Sequence, residues 1–182
     1  MSSLVLKPRP PFHARPATRD DVPAIVAIYN DAVIHTTASY DYEPRPLAHR
    51  MAWFEDHEKS GHAVFVACDA DGTVVGWSAL NRFHDRMGYR FTSENSVYVA
   101  PACRGQGVGS LLLEPLIGAA ERRGLRSIIA VIDASNAASI RLHARFGFEQ
   151  VGFFKQVGYK FDRWLDVVYM QRLLPVPSSM AT

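Results

Sequence analysis

A glycine-rich segment in the middle of the chain has the residue types of a phosphate-binding loop. Gly105, Gly107 and Gly109 alternate after the β-branched run 96–100 and before an apolar run with helical spacing. A strand, loop and helix in this order expose consecutive backbone N–H groups at the positive end of a helix dipole, and both features attract an anion. Segment 105–110 therefore predicts a phosphate cradle, and the alternative is a tight turn that binds nothing.

The spacing of the glycines argues against two common nucleotide motifs. The third glycine comes one residue too early for a dinucleotide fingerprint, and no Lys-Ser/Thr pair follows the last glycine as a Walker A loop requires. The pattern that fits is Arg-x-x-Gly-x-Gly, formed by Arg104, Gly107 and Gly109. It resembles the pyrophosphate loop of the GNAT acyl-CoA N-acetyltransferases.

A second segment, 136–148, supports that resemblance. Asn136 is a candidate helix N-cap, and Ser139 and His143 fall one turn apart on one helix face. The segment resembles the one that follows the fifth strand in the same family. This implies that Asn136 and Ser139 contact the pantetheine arm and that His143 faces the thiol. Taken singly, Asn136 could be a plain N-cap and His143 a half-buried histidine, but the order and spacing of the two motifs favour the family.

Four segments resemble one branch of the superfamily more narrowly. Residues 28–33, 94–99, 136–143 and 156–166 are similar to the phosphinothricin acetyltransferases, a branch that includes acetyltransferases for methionine sulfoximine and methionine sulfone. The resemblance extends from about residue 15 to residue 173. It implies acetyl-CoA as co-substrate, a small amino-acid-like acceptor and a homodimer. The loop 81–89 differs from the aromatic-rich loop of that branch, which leaves the acceptor open.

Glu94 and His143 are the predicted catalytic residues. Amines are mostly protonated near neutral pH, so acetyl transfer to an amine benefits from a base. The resemblance implies that Glu94 is the general base, directly or through water, and strand alternation places it on one side with Ser96 and Tyr98. His143 could protonate the leaving thiolate or relay the amine proton, and the sequence does not separate these roles. The alternative for Glu94 is a surface carboxylate at a strand end.

The predicted binding residues fall into two groups. Those for acetyl-CoA lie on the strand edge, the glycine loop and the second motif: Val97, Tyr98, Val99, Arg104, Gly105, Gln106, Gly107, Val108, Gly109, Ser110, Asn136 and Ser139. The backbone at Val97 and Val99 can pair with pantetheine as an added strand would. Those for the acceptor are Tyr40, His84, Arg86, Tyr89, Arg90, Asn95 and Ser96. Cationic side chains could bind the carboxylate of the acceptor, and aromatic side chains could form the wall of its pocket. For segment 82–86 the alternative is a solvated loop that binds no acceptor. No metal site is predicted.

Composition narrows the class of protein. The 182 residues are 48% hydrophobic with a net charge of +2, and the basic residues are dispersed, which argues against nucleic-acid binding. No apolar run approaches the ~18 residues of a membrane span. Cys68 and Cys103 have neither metal-ligand spacing nor a disulfide framework, so we expect a cytoplasmic protein. Trp164, Leu165 and Tyr169 would form a costly exposed patch, which favours a dimer.

The order of predicted elements indicates an α/β fold. We expect a helix after an N-cap at Thr18, a second helix over 47–59, a hairpin of 63–68 with 73–80, and a helix over 108–123 that contains Pro115. A buried strand over 128–132, a helix over 136–146 and strands over 148–159 and 164–173 follow. The predicted fold is a GNAT-type single domain over 12–174, with a mixed sheet of about seven strands and about four helices, between a flexible leader (1–11) and a flexible tail (175–182).

Three functions remain open at this point. The first is an acetyl-CoA-dependent N-acetyltransferase for small amino-acid analogues, and the second acetylates another small amine or a peptide N-terminus. The third is a non-catalytic CoA-binding module. The presence of both Glu94 and His143 favours an enzyme.

Overall fold

Seven strands form one mixed sheet in the computed structural model, which describes residues 12–175. In chain order they are β1 (His13–Pro16), β2 (Val64–Cys68), β3 (Val74–Arg82), β4 (Thr92–Val99), β5 (Ser127–Asp133), β6 (Glu149–Lys160) and β7 (Arg163–Leu173). Their order across the sheet is β1-β2-β3-β4-β5-β7-β6. The predicted leader 1–11 and residues 176–182 of the predicted tail lie outside the described residues.

Four α-helices cover the two faces of this sheet: α1 (Val22–His35), α2 (Leu47–Ser60), α3 (Val108–Arg122) and α4 (Ala137–Arg145). One buried cluster lies between the sheet and α3, and a second lies between the sheet and the pair α1 and α2. Because an apolar helix face must be buried against another element, the two clusters produce three layers. The predicted α/β fold with seven strands and four helices is confirmed.

The first helix begins later than its sequence pattern predicts. A short 3₁₀ turn, Arg19–Asp21, follows Thr18, and α1 begins only at Val22. The Asp21 carboxylate accepts from the backbone N–H of Thr18 at 2.7 Å and from both terminal nitrogens of Arg15 at 2.7 Å. Thr18 therefore caps the 3₁₀ turn, and Asp21 ties that turn to β1.

Other boundaries differ by a few residues. The predicted strand 73–80 extends to Arg82 because β4 continues opposite it and pairs Ser93 with Arg82. The predicted helix 108–123 ends at Arg122 and continues through Pro115. The last two strands start and end within one residue of their predicted limits.

The centre of the sheet separates between β4 and β5. These parallel strands pair only at Thr92, Ser93 and Glu94 on the β4 side. Beyond Glu94 the backbone of β4 has β3 on one side and no strand partner on the other. An unpaired strand edge inside a sheet leaves backbone N–H and C=O groups available to a ligand.

Candidate active site

The separation of β4 and β5 opens a cleft of about 250 Å³, here called the central cleft. Its walls are Glu94, Asn95 and Ser96 of β4 and residues 130–133 of β5, together with Asn136 before α4 and Ser139 and His143 on α4. The loop 37–40 after α1 covers it. A second cleft of about 510 Å³, here called the outer cleft, shares Asn136 and Ser139 and continues to the glycine loop. The two predicted motifs therefore meet along one continuous surface.

Glu94 stands where the two strands separate. Alternation along β4 sends Val97 and Val99 to the α3 side and Tyr98 to the α1 side, so Glu94 and Ser96 share the side of Tyr98, as predicted. Among residues 12–175 the Glu94 carboxylate has no hydrogen bond and no ion pair. Burial without a compensating partner raises the pKa of Glu94. A carboxyl group with a raised pKa in a cleft is suited to accept a proton near neutral pH.

His143 is buried on the opposite side of β4. Its Nδ1 lies 2.8 Å from the backbone carbonyl of Ser139, so Nδ1 must carry the proton and donate it. Its Nε2 is then an acceptor, and the side-chain amide of Asn95 donates to it at 2.9 Å. Burial lowers the pKa of His143. The imidazole is therefore a neutral ring with both nitrogens engaged.

The Asn95 amide oxygen is left without a donor by this arrangement. Because Asn95 must present its NH₂ to His143, its Oδ1 is fixed on the other side of the amide. This atom is buried and has no hydrogen-bond partner among the described residues. An unsatisfied buried acceptor is costly, so this oxygen is ready for an N–H group brought by a ligand.

The glycine loop has the conformation that an anion cradle requires. Gly105 and Gly107 have φ values of 73° and 90°, in the left-handed region that favours glycine. Gly107 is also the N-cap of α3, so the free N–H groups of the first helical turn begin there. A Cβ at residue 109 would lie 2.9 Å from Cδ2 of Leu142, so Gly109 permits close contact of α3 with α4.

Most predicted acetyl-CoA residues border one of the two clefts. Ten of them line the outer cleft: Val97, Tyr98, Val99, Arg104, Gly105, Gly107, Gly109, Ser110, Asn136 and Ser139. Val108 is buried in the core, so only its backbone can serve a ligand. Gln106 donates its side-chain amide to the carbonyl of Ala102 at 2.7 Å. Asn136 accepts from the backbone N–H of Ser139 at 3.0 Å, which confirms it as the N-cap of α4.

The predicted acceptor residues divide into two sets. Tyr40, Asn95 and Ser96 line the central cleft. The other four lie on the exposed segment between β3 and β4 and line neither cleft: His84, Arg86, Tyr89 and Arg90. The guanidinium of Arg90 stacks on the ring of Phe91 at 4.3 Å. An acceptor role for this second set stays a prediction.

The loop over the central cleft is held from the far edge of the sheet. Lys160 of β6 is 3% exposed, and its ammonium donates to the carbonyls of Val33, Thr36 and Ser39 at 2.7, 3.0 and 2.6 Å. These bonds use all three donors of the group and bind it at the negative end of α1. Lys160 was not predicted as a site residue, because a lysine in an edge strand is usually solvated.

Tyr40 connects this loop to β5 and β6. Its hydroxyl donates to Oδ2 of Asp133 at 3.3 Å. Its ring lies against Gly158, where a Cβ would come 2.8 Å from Cδ2 of Tyr40. Burial, with Asp133 adding to it, raises the pKa of Tyr40 to about 12. Neither Asp133 nor Gly158 was predicted from the sequence, since only the pairing of distant strands brings them to Tyr40.

The chain belongs to the acetyltransferase (GNAT) family, whose model matches residues 24–148. A relative from Pseudomonas aeruginosa, an L-methionine sulfoximine/L-methionine sulfone acetyltransferase, is 48% identical over 151 residues, which are 83% of this chain and 88% of that protein. A phosphinothricin N-acetyltransferase from Alcaligenes faecalis is 44% identical over 156 residues, 85% of this chain and 79% of that protein.

Solved structures show the same fold with a ligand. A protein from Salmonella typhimurium with its cofactor acetyl-CoA is 40% identical with a TM-score of 0.89, covering 92% of this chain and 96% of that one. A phosphinothricin acetyltransferase from Sinorhizobium meliloti in complex with acetyl-CoA is 36% identical, also with a TM-score of 0.89, covering 93% and 91%. The predicted family, enzyme class and co-substrate are confirmed. Within residues 12–175 no helix is long and apolar enough to cross a membrane.

Proposed function

We propose that this enzyme transfers the acetyl group of acetyl-CoA to the amino group of a small amino-acid analogue, with Glu94 as the general base. The observation that carries this proposal is the position of Glu94, a partly buried carboxylate without a partner among the described residues, at the point where β4 and β5 separate. The proposed acceptors are those of the relatives, namely methionine sulfone, methionine sulfoximine and phosphinothricin.

Acetyl-CoA would occupy the outer cleft, and the acceptor would occupy the central cleft. The glycine loop and the start of α3 would bind the pyrophosphate of acetyl-CoA through backbone N–H groups. The pantetheine arm would run along the free edge of β4 at Val97 and Val99, past Asn136 and Ser139, and deliver the thioester to the central cleft. The acceptor would enter on the Glu94 side.

The chemical step is then a direct attack. The neutral amine nitrogen bonds to the thioester carbonyl carbon, a backbone N–H of the free β4 edge stabilises the oxyanion, and the carbon–sulfur bond breaks to release CoA thiolate. Glu94 takes one proton from the ammonium of the acceptor to give the neutral amine, and the second proton, which the nitrogen loses after it attacks, passes to the leaving CoA thiolate. His143 has no free nitrogen for either transfer in this arrangement, so we assign it the orientation of Asn95.

A thiol-release assay tests the proposed function. Acetyl-CoA would be offered with methionine sulfone, methionine sulfoximine, phosphinothricin, the common amino acids and short peptides, and the acetylated product identified by mass. We expect the first three to have the highest kcat/KM. Preferential acetylation of peptides would favour an N-terminal acetyltransferase, and acetyl-CoA binding without transfer to any amine would favour the non-catalytic module.

A homodimer is the assembly that the exposed surface supports. β6 is an edge strand, and it carries five large exposed apolar side chains: Val151, Phe153, Phe154, Val157 and Tyr159. The ring of Tyr159 lies 5.1 Å from that of Trp164, which is 62% exposed. Leu165, which the sequence placed in this patch, is 3% exposed and packs inward. A long apolar edge strand favours covering by another chain. Sedimentation of a monomer at micromolar concentration would contradict the dimer.

The free thiols of Cys68 and Cys103 support a reducing compartment such as the cytoplasm.

A further inference from the structure

A buried histidine of α2 packs against the face of the sheet that carries Glu94. His57 is 6% exposed, and its ring lies 4.2 Å from that of Trp53. Its Nδ1 is 2.9 Å from the backbone carbonyl of Trp53, four residues earlier in the helix. Because a carbonyl oxygen only accepts, Nδ1 carries a proton and donates it. Burial lowers the pKa of His57, which favours the neutral ring, and Nε2 is then an acceptor.

Asn81 connects this ring to the central cleft. It pairs with Glu94 across β3 and β4, so the two side chains share a face of the sheet. Its Oδ1 lies 3.2 Å from Nε2 of His57, and its Nδ2 lies 3.0 Å from Oγ of Ser96. Ser96 in turn lines the central cleft. The three side chains His57, Asn81 and Ser96, here called the α2 relay, therefore form a hydrogen-bonded chain from α2 to the cleft.

The protonation of His57 sets the direction of the bonds in the α2 relay. The two ends of an amide have the same shape, so its hydrogen-bond partners decide which end is the NH₂ group. An amide oxygen toward Nε2 requires a doubly protonated ring, which burial disfavours. A neutral ring requires the NH₂ group of Asn81 toward Nε2, the arrangement that Asn95 makes with His143 at 2.9 Å. The Asn81 oxygen then faces Ser96.

This direction makes Ser96 an acceptor toward the cleft. A hydroxyl that donates its proton to Asn81 has both lone pairs free for a ligand. The one opposing contact, between the same end of Asn81 and the backbone carbonyl of Glu94, is long at 3.4 Å. Ser96 follows Glu94 by two residues on the same face, about 7 Å along the strand. One nitrogen between the two side chains can donate to both.

We propose that the Ser96 hydroxyl accepts an N–H group of the acceptor's amine beside Glu94, and that His57 and Asn81 are positioning residues that orient this hydroxyl. The inference rests on the proposed function. Ser96 holds one N–H group while Glu94 removes a proton from the same nitrogen, and the lone pair released by that proton is directed at the thioester. No proton passes through the α2 relay, which only fixes the direction of the Ser96 hydroxyl.

The test compares two substitutions of equal length at His57. His57→Gln keeps a side-chain oxygen that can accept from Asn81, whereas His57→Met has the same length and lacks that oxygen. His49→Met, at an exposed histidine of the same helix, is the control. His57→Met is also combined with Ser96→Ala. The probes are L-methionine sulfone, acetyl-CoA and the deamino analogue of methionine sulfone, in which hydrogen replaces the amine. Thermal unfolding checks that each variant folds.

We expect His57→Met to lower kcat/KM for methionine sulfone about 3- to 10-fold, the effect of one lost hydrogen bond, and His57→Gln to lose less. The KM for acetyl-CoA and the inhibition constant of the deamino analogue should stay within about twofold of wild type, because neither brings an amine to Ser96. In the Ser96→Ala background His57→Met should have no further effect, since the residues act as one unit. His49→Met should change none of these constants.

Nitrogen NMR of the wild-type His57 ring tests the direction of the relay without any substrate. We expect a neutral ring with its proton on Nδ1 at the pH of the assay. A proton on Nε2 would reverse the direction of the bonds and overturn the inference. This measurement and His57→Gln decide the matter if His57→Met does not fold.

Two kinetic results would also overturn the inference. Equal constants for His57→Gln and His57→Met would show that the acceptor at Nε2 does not matter. The same loss from His57→Met with and without Ser96→Ala would show that His57 does not act through Ser96. If the wild-type enzyme acetylates no amine at all, the proposed function fails and takes this inference with it, whereas an active enzyme with any of the contrary results loses this inference alone.

Discussion

The side-chain amide of Asn95 donates to Nε2 of His143 at 2.9 Å, and both residues are buried. With Nδ1 of His143 bonded to the Ser139 carbonyl, this contact fixes the tautomer of the ring and the orientation of the amide. It also separates the roles of the two predicted catalytic residues. Glu94 has a carboxylate open to the cleft, while His143 has no nitrogen left for an exchanged proton.

The first prediction concerns His143. Because burial lowers the pKa of His143, the ring should be neutral at and above pH 6.5, and its titration should not shape activity there. We expect His143→Ala to lower kcat by less than the ~10²-fold typical of a lost general acid, and to raise the KM for acetyl-CoA, since Asn95 loses its orientation. The measurement is kcat against pH from 6 to 9. Disappearance of a basic limb in the variant would restore His143 as the acid.

The second prediction concerns the glycine loop. Gly107→Val should weaken acetyl-CoA binding at least ~10-fold, because the loop can no longer present its N–H groups, and should cost about 1–2 kcal/mol of stability from left-handed strain. Gly72→Val is the control: Gly72 has a φ of 82° in the β2–β3 hairpin, and a Cβ there would contact nothing within 4 Å. It should lose similar stability but no affinity. Calorimetry that finds equal acetyl-CoA binding in both variants would exclude the loop as the cradle.

The third prediction concerns Lys160. Lys160→Met leaves two buried carbonyls and one partly buried carbonyl without their donor, and each buried one costs about 1–3 kcal/mol when unsatisfied, offset in part by removal of a buried charge. We expect a lower melting temperature and a higher KM for the acceptor, because the loop 37–40 covers the central cleft. Lys155→Met, on the exposed part of the same strand, should change neither. Equal melting temperatures and KM values for the two variants would show that the loop does not depend on Lys160.

Local sequence patterns predicted much of the site because its main parts are local. The glycine loop and the N-cap at Asn136 each depend on a few consecutive residues, and strand alternation alone placed Glu94 with Ser96 and Tyr98. The late start of α1 was not predicted. The Asp21 carboxylate accepts hydrogen bonds from Thr18 and Arg15, and these bonds stabilise a 3₁₀ turn where the sequence pattern predicts the first turn of the α-helix.

The remaining features depend on pairing between distant strands, which no local pattern contains. β7 inserts between β5 and β6, so Lys160 comes from the sheet edge to the end of α1. The same pairing places Gly158 under Tyr40 and turns Tyr40 toward Asp133. In the sequence Lys160 has the pattern of a solvated lysine, and Asp133 that of a turn residue after a strand.

The measurement that tests the central claim most directly is the activity of Glu94→Gln as a function of pH. At pH 7 we expect kcat to fall about 10²- to 10⁴-fold with the KM for acetyl-CoA unchanged, because the substitution keeps the shape of Glu94 but removes the proton acceptor. Glu149→Gln, at an exposed glutamate of β6, should leave kcat unchanged.

The defect of Glu94→Gln should shrink as pH rises, since more of the acceptor amine is then neutral. Because burial raises the pKa of Glu94 and a base must be deprotonated, wild-type activity should fall with decreasing pH from above the usual glutamate value of about 4.3. The variant should lack the inflection that Glu94 contributes, and its activity should change with pH only through the ionisation of the amine. Near-wild-type kcat in Glu94→Gln at pH 7 would contradict the account and leave Glu94 a structural residue.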